Sequence, residues 1–371
     1  MIKIMGHAGY HRRVAINVGA GFVPGMNSAL IGAALAGGKL GWELVGIRDG
    51  FEGLLHPERY PDGGLVPLSL ELVENLDPAT GGVLGQAPRV DPFHAPATNQ
   101  AAADLSDELL KRLQAEGIEA LISAVGNQGL EILYKRHLKG LHTVCIPRSI
   151  ENDIAGTAVS IGFNTALSVT IEMLNKAYQA ARSARKIAVV EVAGEQTGWI
   201  ALQAGIAARA DAVLLPEIPC DLKHVAARLK DKISPRRPYG LVVVAEGAKF
   251  AGGSTAQGQG DTSGPRSGQA AERTAKTLQS LIAGEFYPLA IGPWARGGNP
   301  TAVDQQLGMA FGAGAVESLK SGQTAVMMAF VPPDIRVLPL KEAVNKVRTV
   351  TVDNEFVRIA HSLGIYLGTP L

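Results

Sequence analysis

Eight short apolar runs constrain this chain more than any other feature: VAINVG (14–19), LVGI (44–47), ALISAVG (120–126), LHTVCIP (141–147), KIAVVEVAG (186–194), DAVLLPEI (211–218), GLVVVAEG (240–247) and AVMMAFV (325–331). They lack the apolar–polar alternation of a strand with one wet face. Each therefore reads as a strand buried on both faces. Helical segments separate them. The clearest runs from Phe163 to Ala181, where Phe163, Leu167, Ile171, Leu174, Tyr178 and Ala181 recur at three- and four-residue steps. Such strands with helices between them specify an α/β fold, a mostly parallel sheet covered on both sides. Ligands of such sheets sit in the loops beyond the strands' carboxyl ends. The chain's 371 residues give room for two or three domains.

Bulk chemistry excludes several functions. Lys and Arg total 35 against 34 Asp and Glu, a net charge of +1, so no nucleic-acid partner and no anionic membrane partner is indicated. No apolar stretch approaches the roughly eighteen residues of a membrane span, and the first residues, MIKIMGHAGYHRR, lack a secretory apolar core. Cys145 and Cys220 sit in or beside apolar runs, no disulfide framework, so a cytoplasmic location is expected. The eight histidines show no metal-ligand spacing, and no G-x-G-x-x-G dinucleotide fingerprint is present.

Three glycine turns follow or join these runs. VGAGFVPGMNSALIGAALAG (18–37) is strand, turn and helix, with Gly19, Gly21 and Gly25 allowing close backbone approach and a helix N-terminus open to an anion. SAVGNQGLEIL (123–133) repeats the design around Gly126, Asn127, Gln128 and Gly129. ATGGVLGQAPR (79–89) adds Arg89. Each turn is either a phosphate cradle or a plain strand-to-helix connection. CIPRSIENDIAGT (145–157) differs: it leaves a buried strand and displays Arg148, Ser149, Glu151 and Asp153 within six residues. If it runs extended, Ser149, Glu151 and Asp153 share one side. A carboxylate there is placed to take a proton from an attacking hydroxyl. The alternative is local, with Asn152 or Asp153 capping a turn and Arg148 paired with Glu151 in water. AGGSTAQGQGDTSGPRSG (251–268) reads as a tolerated loop insertion.

Five motifs occur in one order: Pro24-Gly25-Met26-Asn27; Ile150-Glu151-Asn152-Asp153 with Ser160, Gly162, Phe163, Thr165 and Ala166; Glu191-Val192-Ala193-Gly194 with Gly198-Trp199-Ile200-Ala201; Val244-Ala245-Glu246-Gly247; and Arg296-Gly297-Gly298 with Pro300. Together they resemble the phosphofructokinase family from about residue 14 to residue 330. The resemblance implies two lobes, each with a mostly parallel sheet covered by helices. Residues 1–160 with 299–335 would form a larger donor-binding lobe, 161–298 a smaller acceptor-binding lobe, and 336–371 a C-terminal extension. The family moves a phosphoryl group from ATP or pyrophosphate to the 1-hydroxyl of fructose 6-phosphate with Mg2+. Its members are oligomers with a shared sugar site, so a homo-oligomer (dimer or tetramer) acting on a small phosphorylated molecule is implied. Carried over residue by residue, Glu151 takes the base position with Arg148 beside it. Ser149, Asp153, Gly194, Glu195, Glu246 and Arg296 take the acceptor side, and Gly21, Arg89, Gly126, Gln128 and Gly129 the donor side.

The departures fall on the working parts. The family's catalytic Asp is Glu151, its metal-holding Asp falls at Gln128, its Arg after Met-Gly falls at Glu195, its His before Gln-Arg-Gly-Gly is Pro293, and a further cation falls near Tyr287. Gly129 agrees with ATP as donor, whereas Arg148 resembles the lysine of pyrophosphate users and is suited to neutralising transferred charge in place of the metal. Two functions follow: a phosphotransferase with an altered acceptor, or a non-catalytic paralogue that keeps a phosphate-binding cleft.

Overall fold

The computed structural model describes residues 12–79, 82–85, 105–251 and 267–368. Arg89 and most of the 251–268 loop lie outside them. In chain order the elements are β1 (Arg12–Val18), α1 (Met26–Lys39), β2 (Trp42–Ile47), α2 (Glu52–Leu55), β3 (Leu65–Pro67), α3 (Leu70–Glu74), α4 (Ser106–Ala115), β4 (Ala120–Val125), α5 (Asn127–His137), β5 (Thr143–Pro147), α6 (Phe163–Ala184), β6 (Ile187–Val192), α7 (Trp199–Ala207), β7 (Ala212–Leu214), α8 (Leu222–Lys232), β8 (Gly240–Ala245), α9 (Gln269–Leu281), β9 (Phe286–Ala290), α10 (Ala302–Lys320), β10 (Val326–Val331), β11 (Asp334–Pro339), α11 (Leu340–Ala343) and α12 (Glu355–Ser362). No helix among the described residues is long and apolar enough to cross a membrane.

The chain divides into two compact units. The first comprises residues 1–149, 154–162 and 299–347, the second 150–153, 163–298 and 348–371. Residues 336–371, expected as one terminal extension, are therefore split between the units.

The first unit holds a seven-stranded sheet in the order β11-β10-β5-β4-β1-β2-β3. The inner pairs are parallel, and only β3 and β11, at the two edges, run antiparallel. The inner strands are apolar throughout because helices cover both faces, as in β4, where all six residues are buried. One face packs on α1 and α10 through Val14, Ile16, Ile122, Val144 and Phe311. The other packs on Leu109, Leu113, Leu130 and Leu133 of α4 and α5. Small residues let α1 and α10 close together: a methyl on Gly32 would strike the Met309 carbonyl, and one on Gly312 the Ala29 carbonyl.

The second unit carries a four-stranded, all-parallel sheet in the order β7-β8-β6-β9. Its long helix α6 buries Phe163, Ala166, Thr170, Leu174, Ala177 and Ala181. The expected stripe is thus rotated by part of a turn. Small residues allow close approach there, while Leu167, Ile171 and Tyr178 lie half-buried along the margins.

Candidate active site

In the first unit the strand order reverses between β1 and β4, since β2 lies on one side of β1 while β4 and β5 lie on the other. Loops leaving such a reversal cannot both cover the sheet, and they open a crevice at the strand tips. The turns that leave β1 and β4 are the two glycine-rich ones. Gly19 N–H donates to Ala124 O at 2.9 Å, and Arg148 N–H, just past β5, donates to Val125 O at 3.1 Å. The Arg148 guanidinium then spans the first turn, donating to Gly19 O at 2.9 Å, Ala20 O at 2.6 Å and Gly21 O at 2.5 Å. Gly21 and Gly25 adopt left-handed backbone (φ 82° and 92°), which only glycine does without strain. The third turn is tied in by fully buried Asn27, whose amide donates to Asp77 O at 2.9 Å and accepts from Val83 N–H at 3.1 Å.

Three of the anticipated donor-side segments therefore share one end of one sheet. The guanidinium expected to meet transferred charge is instead engaged on main-chain oxygens, and it fixes the turn that carries Gly21. Gly126 precedes α5, while Gln128 and Gly129 lie in its first turn, where Gln128 is exposed. That turn contains no acidic residue. A neutral amide is a poor ligand for Mg2+, which is bound through one or two carboxylates plus substrate phosphates. The turn does not fit a protein-held magnesium.

The second unit has its own reversal at β6, which lies between β8 and β9. Gly194 and Glu195 follow β6, Glu246 follows β8, and Arg296 follows β9 on a short 3-10 turn, Gly292–Arg296. Residues 150–153 belong to this unit too, so Glu151 and Asp153 fall in one unit with the three loops. Glu151 Oε2 accepts from Glu195 N–H at 3.2 Å, and its carbonyl accepts from Thr197 Oγ1 at 3.1 Å. Glu246 Oε1 accepts from Gly194 N–H at 3.2 Å. The two loops are packed so closely that a methyl on Gly247 would collide with the Glu195 carbonyl.

Burial, more than mutual repulsion, governs the protonation of these carboxyls. Burial, reinforced by the negative charges of Asp153 and Glu246, pushes Glu151 up to about 7, against the opposing pull of the Glu195 N–H and Arg296. Burial also raises Glu246, which the Gly194 N–H and Arg296 partly offset. A carboxyl poised near neutrality can accept a proton at working pH without being held ionised by a partner.

The 149–153 segment is not extended, which corrects the expected one-sided row. Asn152 is left-handed, with φ 55°. Asn adopts that region at less cost than most residues, and the single reversal breaks the alternation. Ser149 falls in the first unit, where its N–H donates to Ile161 O at 3.1 Å and its carbonyl accepts from Ser160 Oγ at 2.8 Å. The Glu195 side chain is exposed, and its main-chain N–H makes the bond to Glu151. Pro293 is exposed as well.

Sequence reasoning missed three groups. Thr197 lies between two quoted motifs yet holds the Glu151 carbonyl. Asp304 of α10, fully buried, accepts from Gly162 N–H at 3.0 Å and so sets the last residue before α6. Arg348 gave no signal at all.

Two doubly wound α/β units, each presenting its loop chemistry at a reversal of strand order, define the class. The family profile described as Phosphofructokinase matches residues 13–319. The ATP-dependent 6-phosphofructokinase of Chloroflexus aurantiacus is 33% identical over 363 residues, covering 97% of this chain and 99% of that protein. ATP-dependent 6-phosphofructokinase 3 of Streptomyces coelicolor is 34% identical over 342 residues, 91% of this chain and 96% of the relative. The crystal structure of a pyrophosphate-dependent phosphofructokinase from Marinobacter aquaeolei superposes with a TM-score of 0.76 at 19% identity, over 97% of this chain and 93% of the other. The chain belongs to the phosphofructokinase family.

Proposed function

We propose that the chain is a phosphotransferase that moves the γ-phosphoryl group of ATP to a hydroxyl of a sugar or sugar phosphate, with Glu151 as the general base. The observation that carries this is the placement of the Glu151 carboxyl, which accepts from the Glu195 N–H in the unit that also holds Glu246 and Arg296, and burial there raises it in keeping with that role. Glu151 takes the proton of the acceptor hydroxyl as its oxygen bonds to the γ-phosphorus and the bond to the bridging oxygen breaks, releasing ADP. The relatives' names put ATP ahead of pyrophosphate as donor. Asp153, Glu246 and Arg296 take the acceptor. Three carboxyls against one guanidinium favour an acceptor less anionic than a family phosphate site, with its additional cations, would hold. From the resemblance we assign a cytoplasmic homo-oligomer.

The test measures ADP release with ATP as donor and orthophosphate release with pyrophosphate, with and without Mg2+, against fructose 6-phosphate and a panel of neutral sugars and other sugar phosphates. Turnover on at least one acceptor, faster with ATP, is expected. Nucleotide binding without turnover on any acceptor would favour the second reading, a non-catalytic paralogue. The uncharged first turn of α5 around Gln128 speaks for that reading.

A pH profile adds a separate check. The base works only when ionised, so kcat/KM for the acceptor should climb with pH through an apparent pKa of about 7. A flat profile between about pH 5.5 and 9 would remove Glu151 from that role.

A further inference from the structure

The last residues of the second unit reach back to the segment that carries Glu151. Arg348 meets it twice: its main-chain N–H donates to Asp153 O at 2.8 Å, and its Nη1 donates to Asn152 O at 3.3 Å. With Thr197 on the Glu151 carbonyl, three consecutive carbonyls, 151 to 153, are each held by a donor from a distant part of the unit. Arg348 is itself fixed. Its guanidinium lies 4.0 Å from the centre of the Trp199 ring, and its carbonyl accepts from Trp199 Nε1 at 2.8 Å. Two residues on, Val350 N–H donates to Glu217 Oε1 at 2.9 Å, and the same carboxylate caps α7 by accepting from Gly198 N–H at 3.0 and 3.1 Å. Burial lowers the Arg348 pKa, yet arginine stays charged under all working conditions.

We infer that residues 348–350 form a strap that positions the Glu151 loop, with Arg348 as the positioning residue. The inference rests on Glu151 being the base. The strap lies beyond residue 319, where the family match ends. Its use follows from Asn152: asparagine can take either backbone region, so bonds from outside the segment are needed to hold it in the left-handed one next to the base. Arg348 supplies two of those bonds, and its side chain, which makes the bond to Asn152 O and the stack on Trp199, also fixes the main-chain N–H that holds Asp153 O. Arginine suits the task because its planar guanidinium can stack flat on an indole and still present an N–H at the edge, which a compact ammonium does less well.

Arg348→Ala and Arg348→Lys, each made in the wild-type chain and in the Glu151→Gln chain, test this. A displacement of the base by about 1 Å predicts that Arg348→Ala lowers kcat by about 10²-fold while KM for ATP moves less than about twofold. Arg348→Lys, which keeps charge and stem, restores part of the loss. In the Glu151→Gln background the same Arg348→Ala change should cost less than about threefold, because there is no base left to misplace. Equal losses in both backgrounds, or an unchanged kcat, would overturn the strap. Should the wild-type chain show no turnover on any acceptor, the proposed function fails, and hydrogen exchange decides the strap alone. Exchange at residues 151–154 and 195–197 rising about tenfold in Arg348→Ala, with β6 and β8 unchanged, sustains it. No change there, or a uniform rise through the unit, rejects it.

Discussion

Glu151→Gln is expected to lower turnover by about 10²–10⁴-fold, the range of general-base catalysis, while the folded chain becomes more stable at alkaline pH. The two effects have one cause. The amide keeps the size of the side chain and can still accept the Glu195 N–H, so the loop retains its shape. It cannot take a proton. A carboxyl whose folded pKa of about 7 stands above its ordinary value of 4.5 holds its proton longer folded than unfolded. Below about pH 4.5 both states are protonated and the group imposes no penalty. Stability then falls as pH rises to about 7, and above that the penalty is complete. At about 1.4 kcal/mol per pKa unit it is on the order of 3 kcal/mol. Thermal unfolding of the two proteins should therefore nearly coincide at about pH 4.5 and separate by pH 8, with the glutamine variant higher. Glu217 is raised as well, but it does not act on Glu151 and cancels in the comparison, whereas relief of the repulsion between Glu246 and Glu151 adds to the separation at pH 8. A variant that loses activity without gaining stability at pH 8 would show that Glu151 is not a crowded, buried acid.

Glu191→Ala should bring the largest loss of stability, about 3–5 kcal/mol. Glu191 is only 2% exposed within β6. Its carboxylate caps α9 from outside the helix, accepting from Gly268 N–H at 2.6 Å, Ala270 N–H at 2.7 Å and Ala271 N–H at 3.3 Å. No residue of α9 does this itself, because its N-cap is the left-handed Gly268, which has no side chain. Alanine would leave these donors without their acceptor and withdraw a negative charge from the positive end of the helix. Glu191→Gln, with one acceptor oxygen and no charge, should lose about half as much. Thermal unfolding of the three proteins checks the order. A loss below about 1 kcal/mol for the alanine variant would show that water or another group caps α9. Glu191 belongs to a motif that resembles the family's, yet the structure gives it a capping task.

What could be read in advance follows what burial writes into a sequence. All eight apolar runs contain strands, because residues covered on both faces must be apolar. The run at 211–218 overstated β7, which keeps only Ala212–Leu214 as strand. Three strands left no such mark: β3, β9 and β11, each at a sheet edge. β9 includes Pro288 and an exposed Tyr287, and most of β11 is exposed, so neither reads as a buried run. In the site, Glu151, Asp153, Glu246 and Arg296 were legible because charged residues interrupt or follow apolar strands in a known order. The contacts of Thr197 and Arg348 were not, since a donor to a carbonyl can come from any distance along the chain. The left-handed Asn152, on which the course of the loop depends, was equally silent, because Asn adopts either backbone region.

The close seating of α1 on α10 governs how the protein is made. The two helices are separated by roughly 260 residues of sequence. At about 5–20 residues per second, a ribosome takes on the order of 15–50 s to supply the second after the first. For that interval the apolar side of α1 has no mate, and the early strands must wait with one flank bare. A chain stopped short of residue 302 never closes that flank. Synthesis from a shortened message should thus yield aggregate or chaperone-bound product in place of a stable half-molecule.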